Sequence, residues 1–414
     1  MNKVKLGEIL KIKHGFAFKS ENYVDESEYA LVTLANISST NNFQFNKDKT
    51  TFYGASFPND FILKEDDLIM PLTEQVVGLF GNTAFVPKMQ GITFVLNQRV
   101  GKVVPVDDKA DKYYLHYLLA TNLVKDQLEF RASGTRQRNI SPDDVYDVEV
   151  FLPDITTQRK IGKCLYDIEK KVNLNNAIND NLEQQAKLIY DYWFTQFDFP
   201  DENGKPYCSS GGKMVWNEQL KRNIPENWNV VPLLKLVSWE SNSQPPKSEF
   251  VYEPKEGYVR FIQNRDYDSD THITYIPRTK NLSIVDRFDI LMDKYGDAGA
   301  VRYGIEGAFN VALGKICVHN PNYREYIRSF LGSDGIYKFL HNSCMASTRA
   351  SLSEANLAIL NVVVPDEKII LDYENFLHKI RVSILKNKEE TVELINLRDW
   401  LLPMLMNGQA TIAD

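Results

Sequence analysis

Apolar residues along this chain fall into two rhythms that alternate twice. In the first, short runs such as Tyr29-Ala30-Leu31-Val32, Phe94-Val95-Leu96 and Val100-Gly101-Lys102-Val103-Val104 are punctuated by Gly and Pro. Runs of that kind predict the strands of a compact α+β domain with a mixed, twisted sheet. Within it, the apolar spacing from Tyr113 to Phe130 predicts one helix. In the second rhythm, Ile161, Leu165, Ile168, Val172, Asn175, Asn179, Leu182, Ala186, Ile189 and Trp193 recur at alternating steps of four and three. This is the heptad seam of a long helix built to pack against another helix.

Both rhythms return in the second half, and an internal repeat outranks any local motif. The stretch from Ile140 to Asp154 aligns without gaps to Leu352 through Asp366, 212 residues on. Thr135-Arg136 corresponds to Thr348-Arg349, and Tyr114-Leu115 to Tyr326-Ile327. Asn97, Gly101 and Lys102 match Asn310, Gly314 and Lys315, and Asp67-Leu68-Ile69-Met70 matches Asp289-Ile290-Leu291-Met292. The seam also recurs, as Tyr373, Leu377, Ile380, Ile384, Asn387, Thr391, Leu394, Arg398, Leu401 and Leu405. Asn175 and Asn387 hold equivalent positions, where a buried amide pair would fix register at a cost in stability.

The expected organisation is a first globular domain over 1–152, a first helix over 153–198, a Gly/Ser/Pro-rich return linker over 199–226, a second domain over 227–364 and a second helix over 365–410. Two long helices packed as an antiparallel coiled coil with pseudo-two-fold symmetry would hold the domains apart. About forty residues at 1.5 Å each make a rod of roughly 60 Å. One turn of DNA is about 34 to 36 Å, so such a rod suits two readers between one and two turns apart.

With 43% hydrophobic and 25% charged residues among 414, the composition is that of an ordinary soluble protein. The alternating start Met1-Asn2-Lys3-Val4-Lys5 lacks the apolar stretch of a signal peptide, and no run of eighteen apolar residues follows. A cytoplasmic location is expected, with no membrane partner. Cys164, Cys208, Cys317 and Cys344 are scattered without C-x-x-C spacing, which suits reduced, buried thiols rather than disulfides or a metal site. A net charge of −7 argues against a nonspecific nucleic-acid binder, whose phosphate attraction shows as a basic domain. A base reader inside a larger assembly needs only local basic patches.

Four further segments carry a resemblance: Gly134-Thr135-Arg136-Gln137-Arg138-Asn139-Ile140; Trp193-Phe194 with Phe197-Asp198-Phe199-Pro200; Asn203-Gly204-Lys205-Pro206-Tyr207; and Ile224-Pro225-Glu226-Asn227-Trp228. With the closing helix from Leu397 to Gly408, which includes Trp400, their order resembles the specificity subunits of type I restriction-modification systems over essentially the whole chain. The resemblance implies two target-recognition domains, each reading half of an interrupted site in double-stranded DNA, with the helices setting the gap. It further implies two methyltransferase subunits and, in the full complex, restriction subunits as partners. Those partners would use S-adenosylmethionine, ATP and Mg; this chain would bind no cofactor or metal and hold no catalytic residue. The second half departs from the pattern at Ser347-Thr348-Arg349-Ala350-Ser351-Leu352, one residue shorter than its counterpart.

The expected DNA contacts are Arg136, Gln137 and Arg138 in a polar loop, their counterpart Arg349, Lys294 and Tyr295 in the Gly-rich loop after Met292, and Thr73, Glu74 and Gln75 in the loop leading to Gly78. Arg and Gln fork onto guanine and adenine edges or hold phosphates. Asn175, Asn387, Trp193, Phe194 and Trp400 are expected to serve helix packing or partner docking. An enzyme carrying its own chemistry is a weaker reading. No phosphate loop or dinucleotide turn is present, the lone Pro245-Pro246 pair precedes Lys247 rather than an aromatic, and the six histidines lack ligand spacing. The remaining alternative is a coiled-coil scaffold that organises protein partners without touching DNA.

Overall fold

The computed structural model describes residues 2–75, 77–134, 137–268, 272–345 and 351–412. The chain forms two compact units, one of residues 1–174 with 391–414 and one of residues 175–390. Each boundary falls inside a long helix, Ile155–Tyr190 or Glu367–Met406.

In the first unit, an antiparallel sheet runs in the order Leu10–His14, Val100–Pro105, Leu68–Pro71, Ala84–Phe85. Leu68–Pro71 is buried along its whole length, as an unbroken apolar run in a sheet interior requires. Beside it, Tyr29–Val32 pairs in parallel with Thr93–Leu96. Asn2–Lys5 pairs with Glu149–Leu152, which ties the start of the chain to the strand that feeds the first long helix.

The second unit rebuilds this plan. Its sheet runs Val237–Ser241, Leu313–Val318, Ile290–Asp293, Val301–Arg302. Tyr258–Ile262 pairs in parallel with Gly307–Phe309, and Asn229–Pro232 pairs with Asn361–Val364. The residues aligned by the repeat do the same work in both. Lys102 reaches Asp67 at 2.7 Å, and Lys315 reaches Asp289 at 2.9 Å. Gly101 and Gly314 both admit a close neighbour from the adjoining strand: a Cβ would lie 2.6 Å from Ile12 Cγ2 or 2.0 Å from Trp239 Cζ2. Tyr114 and Tyr326 are both buried.

Every residue of the predicted seams is buried or half-buried. Within the second unit the helical segments contact each other in opposite order. Asn175 donates to Glu390 Oε2 at 2.8 Å, Asn387 donates to Asn179 Oδ1 at 2.9 Å, Arg381 bonds Glu183, and Trp193 packs on Tyr373 at 5.8 Å. In the first unit, Ile161 and Leu165 share a core cluster with Leu405 and Met406.

Two expectations need correction. The amide partner of Asn387 is Asn179, not Asn175. The single helix expected from Tyr113 to Phe130 is two helices, Lys112–Leu119 and Asn122–Arg131. Thr121 caps the break with its Oγ1 donating to the Leu118 carbonyl at 2.7 Å, and Phe130 is exposed rather than part of an apolar face. The return linker over 199–226 makes contacts of its own. Asp198 accepts from Ser209 N at 2.7 Å, Tyr207 stacks on Phe199 and Phe199 on Trp228, and Met214–Asn217 pairs with Arg222–Pro225. The four cysteines are free thiols; Cys344 is buried and the other three only partly so. Among the described residues, no helix is long and apolar enough to cross a membrane.

Candidate nucleic-acid interface

The expected reading loops of the first half emerge from one end of its sheet. The chain continues past Leu68–Pro71 into Thr73–Glu74, which pairs antiparallel with Arg138–Asn139. Leu72 N–H donates to Arg99 O at 2.9 Å, and Leu72 O accepts from Ile140 N at 3.0 Å. Three neighbouring backbone segments therefore end together: the turn before Val100, the loop after Glu74 and the loop before Arg138.

Their side chains divide into a buried frame and an open rim. Thr73 and Glu74, expected to face DNA, are interior at 5% and 1% exposure. Thr73 Oγ1 donates to Asn139 Oδ1 at 2.9 Å. Glu74 Oε2 accepts from Leu79 N at 2.9 Å and Phe80 N at 3.2 Å, while Oε1 lies 3.1 Å from Arg138 Nη1. Arg138 also reaches Glu129 at 2.5 Å and lies over the Phe80 ring. A guanidinium paired with two carboxylates, its Nη2 also donating to the Glu129 carbonyl at 3.0 Å, is committed to the frame. Gln75 is exposed and Gln137 half-buried, its amide 3.3 Å from Asn139 Oδ1. Arg136 and Arg349 lie outside the described residues.

The second unit presents the matching end. Lys294 N–H donates to Ala312 O at 2.8 Å, and Lys294 O accepts from Leu352 N at 2.9 Å. Lys294 thus occupies the backbone place of Leu72. Its side chain is half-buried, and Tyr295, half exposed, stands open beside it. Asp293 anchors the loop from inside: Arg302 donates to its Oδ2 from Nε at 3.1 Å and Nη2 at 2.8 Å. Burial pushes the Asp293 carboxyl above its ordinary value, and the guanidinium opposes that rise.

Each domain is fastened to its long helix by a buried polar cluster at the same repeat position. In the first unit, Glu169 Oε2 lies 3.3 Å from His116 Nε2 and accepts from Tyr117 OH at 2.8 Å. Burial works to raise the Glu169 carboxyl, yet His116, Tyr117 and Arg398 outweigh it and hold it below the usual range. In the second unit the equivalent positions carry Arg328 and Arg381. Arg381 Nε donates to Glu325 Oε2 at 3.1 Å and Nη1 to Tyr303 OH at 3.0 Å.

Phe194, at 5% exposure, sits in the second unit's core against Tyr326 and Tyr373, with Trp193 half-buried alongside. Both are packing residues there. Trp400 is 60% exposed, and Leu397 and Val392 on the same helix are also open, a surface available to a partner. Among the described residues no cluster of His, Cys, Asp or Glu could hold a metal ion.

The sequence reading passed over Gln98 and Arg99. Asn97, Gly101 and Lys102 served as repeat markers, but of the three residues between Asn97 and Gly101 the first two differ in character from their counterparts Val311 and Ala312, while Val100 matches the apolar Leu313. Divergence at the tip of an otherwise matching segment is the signal that could have found them.

Residues 1–184 match the family model described as type I restriction modification DNA specificity domain. The chain is similar to the type I restriction enzyme MjaIX specificity subunit of Methanocaldococcus jannaschii, at 22% identity covering 77% of this chain and 73% of that protein. It is also similar to the HindI specificity subunit of Haemophilus influenzae, at 23% identity covering 72% and 77%. The crystal structure of the S subunit of a type I restriction-modification system from M. genitalium superposes with a TM-score of 0.66 at 15% identity, covering 98% of this chain and 95% of that one, a likeness of fold.

Proposed function

We propose, from the match of residues 1–184 to the family model of the type I restriction modification DNA specificity domain, that this chain is the sequence-recognition subunit of such a system. Each sheet-bearing domain reads one half of an interrupted site in double-stranded DNA. The two long helices, paired as an antiparallel coiled coil with pseudo-two-fold symmetry, set the gap between the halves. Two methyltransferase subunits and the restriction subunits dock on this chain in the cytoplasm and carry the chemistry, together with S-adenosylmethionine, ATP and Mg. The chain itself is not an enzyme.

The observation that carries this reading is that the second half repeats the four-stranded antiparallel sheet, the parallel strand pair and the closing strand pair of the first, down to the Lys102–Asp67 and Lys315–Asp289 pairs, while the loops at the open end differ. Two copies of one frame with different rims suit two readers of different sequences, because backbone contacts position a reader and side chains at base edges specify it. Arg136, Gln137, Gln75, Lys294, Tyr295 and Arg349 belong to those rims in this reading. Arg138, Thr73 and Glu74 support them from within.

The test is a genome-wide map of methylated adenines in a methylation-free host that expresses this chain with its cognate methyltransferase subunit. A bipartite motif that needs this chain, and of which only one half changes when residues 1–152 are exchanged, is the expected result. Methylation that is indifferent to removing the chain refutes the reading and leaves a protein scaffold in its place.

A further inference from the structure

The turns at 97–100 and 310–313 are built on one backbone plan. Val100 N–H donates to Asn97 O at 2.9 Å, and Leu313 N–H donates to Asn310 O at 3.1 Å. The Asn97 side chain accepts from Gln98 N at 2.7 Å, and the Asn310 side chain accepts from Ala312 N at 3.0 Å. The first turn is also clamped from outside. Gln98 N–H donates to Phe16 O at 3.0 Å, and Gly15 lies so close that a Cβ there would meet Asn97 O at 2.0 Å. Asn310 N–H donates to Ile262 O at 2.9 Å in the second. Backbones fixed this firmly spare the backbone ordering cost at the moment of binding and leave only the side chains to be ordered.

What they present differs. Gln98 and Arg99 are exposed, and among the described residues neither side chain takes part in a hydrogen bond or ion pair. That sets Arg99 apart from Lys102 and Arg138, both neutralised by carboxylates. In the second turn Val311 is 41% exposed and Ala312 half-buried. Each turn adjoins the rim already described, through Leu72 N–H to Arg99 O and Lys294 N–H to Ala312 O. Arg99 is one strand spacing, about 4.8 Å, from the chain at Leu72, and about 10 Å from the segment at Ile140. A strip of that width spans about three base pairs at 3.4 Å each.

Resting on the function proposed above, we propose that these two turns determine specificity. Gln98 and Arg99 read purine edges in one half-site, while Val311 and Ala312 meet a thymine methyl in the other. The chemistry follows the pairing rules of the major groove: Arg forks onto guanine O6 and N7, Gln onto adenine N6 and N7, and small apolar side chains touch the thymine C5 methyl.

The experiment selects from a randomised duplex pool with the full chain assembled on its methyltransferase subunits, comparing wild type with Gln98→Ala, Arg99→Ala and Val311→Ser. All three positions are exposed, and a melting curve checks that each variant folds. Arg99→Ala and Gln98→Ala should each lose about tenfold or more of the discrimination at one base pair of one half-site, leaving the other half-site unchanged. Replacing one thymine of the other half-site by deoxyuridine should weaken the wild type and leave Val311→Ser unaffected. Selected pools identical to wild type would overturn the inference while the chain remained a DNA reader. Equal weakening on every sequence with a shallower salt dependence would also overturn it, since that marks a phosphate contact. A wild-type complex without sequence preference would instead sink the functional reading itself.

Discussion

Replacing Arg381 by methionine tests the cluster that fastens the second domain to its helix. Arg381 is 5% exposed and bonds Glu325, Glu183 and Tyr303 at once. Taking one partner from a buried ion pair costs about 3 to 5 kcal/mol, because the orphaned charge stays desolvated. Two details set the lower end here. Arg328 remains 3.1 Å from Glu325, and the Glu183 side chain is 43% exposed, so water can replace part of what it loses. A loss of about 3 kcal/mol corresponds to about 6 to 12 °C in Tm for a unit of this size. The assay is thermal and urea unfolding of the full chain followed by near-ultraviolet circular dichroism. Burial works to raise the Glu183 carboxyl, but Arg381 and Tyr303 outweigh it and hold it below its ordinary 4.5. The stability it contributes is therefore present above that value and lost as pH falls through the depressed one, so wild type and variant should converge in acid. Adding Glu183→Gln to the variant should recover part of the loss, since Glu325 still faces Arg328 and Glu183 is no longer an orphaned carboxylate. A drop below about 2 °C at neutral pH, or no recovery, would refute the reasoning.

Two further outcomes are expected. Burial raises the Glu374 carboxyl to about 7, and its Oε2 accepts from Glu325 N at 2.8 Å. Its folded value lies above its unfolded one, so wild type should lose stability as pH rises through 7; Glu374→Gln keeps an acceptor, and pH-resolved urea unfolding should show that loss removed. Gly314→Ala places a Cβ 2.0 Å from the Trp239 ring, so it should cost about 1 to 3 kcal/mol by overpacking and shift tryptophan fluorescence; an unchanged urea midpoint would contradict the packing described.

The repeat was legible because it is written in positions with fixed duties: Asp67 and Lys102, or Asp289 and Lys315, match in sequence since each pair closes a strand crossing. The seam was legible because burial selects apolar residues at helical spacing. The partner of Asn387 was not. The repeat offset names equivalent positions, whereas oppositely running helices bring together residues whose numbers rise on one side and fall on the other. Asn179, one turn beyond Asn175, therefore takes the amide. Nor did the loop at Thr73 and Glu74 betray its burial, because a Glu that caps backbone N–H groups and a Thr that donates to a neighbouring Asn read like residues that face solvent. The internal contacts of the return linker were not legible either, the stacking of Phe199 on Trp228 being a long-range contact.

One feature of the fold bears on how the protein is made. The second unit is continuous in the chain, while the first needs residues 391–414, whose Leu405 and Met406 enter the core beside Leu6 and Val150. At about 5 to 20 residues per second on the ribosome, the 232 residues that follow Leu174 through Met406 (406 minus 174) take about 12 to 46 seconds to appear. The domain whose synthesis starts first thus waits for a segment made after the whole of the second unit, and its core lacks Leu405 and Met406 until that segment emerges.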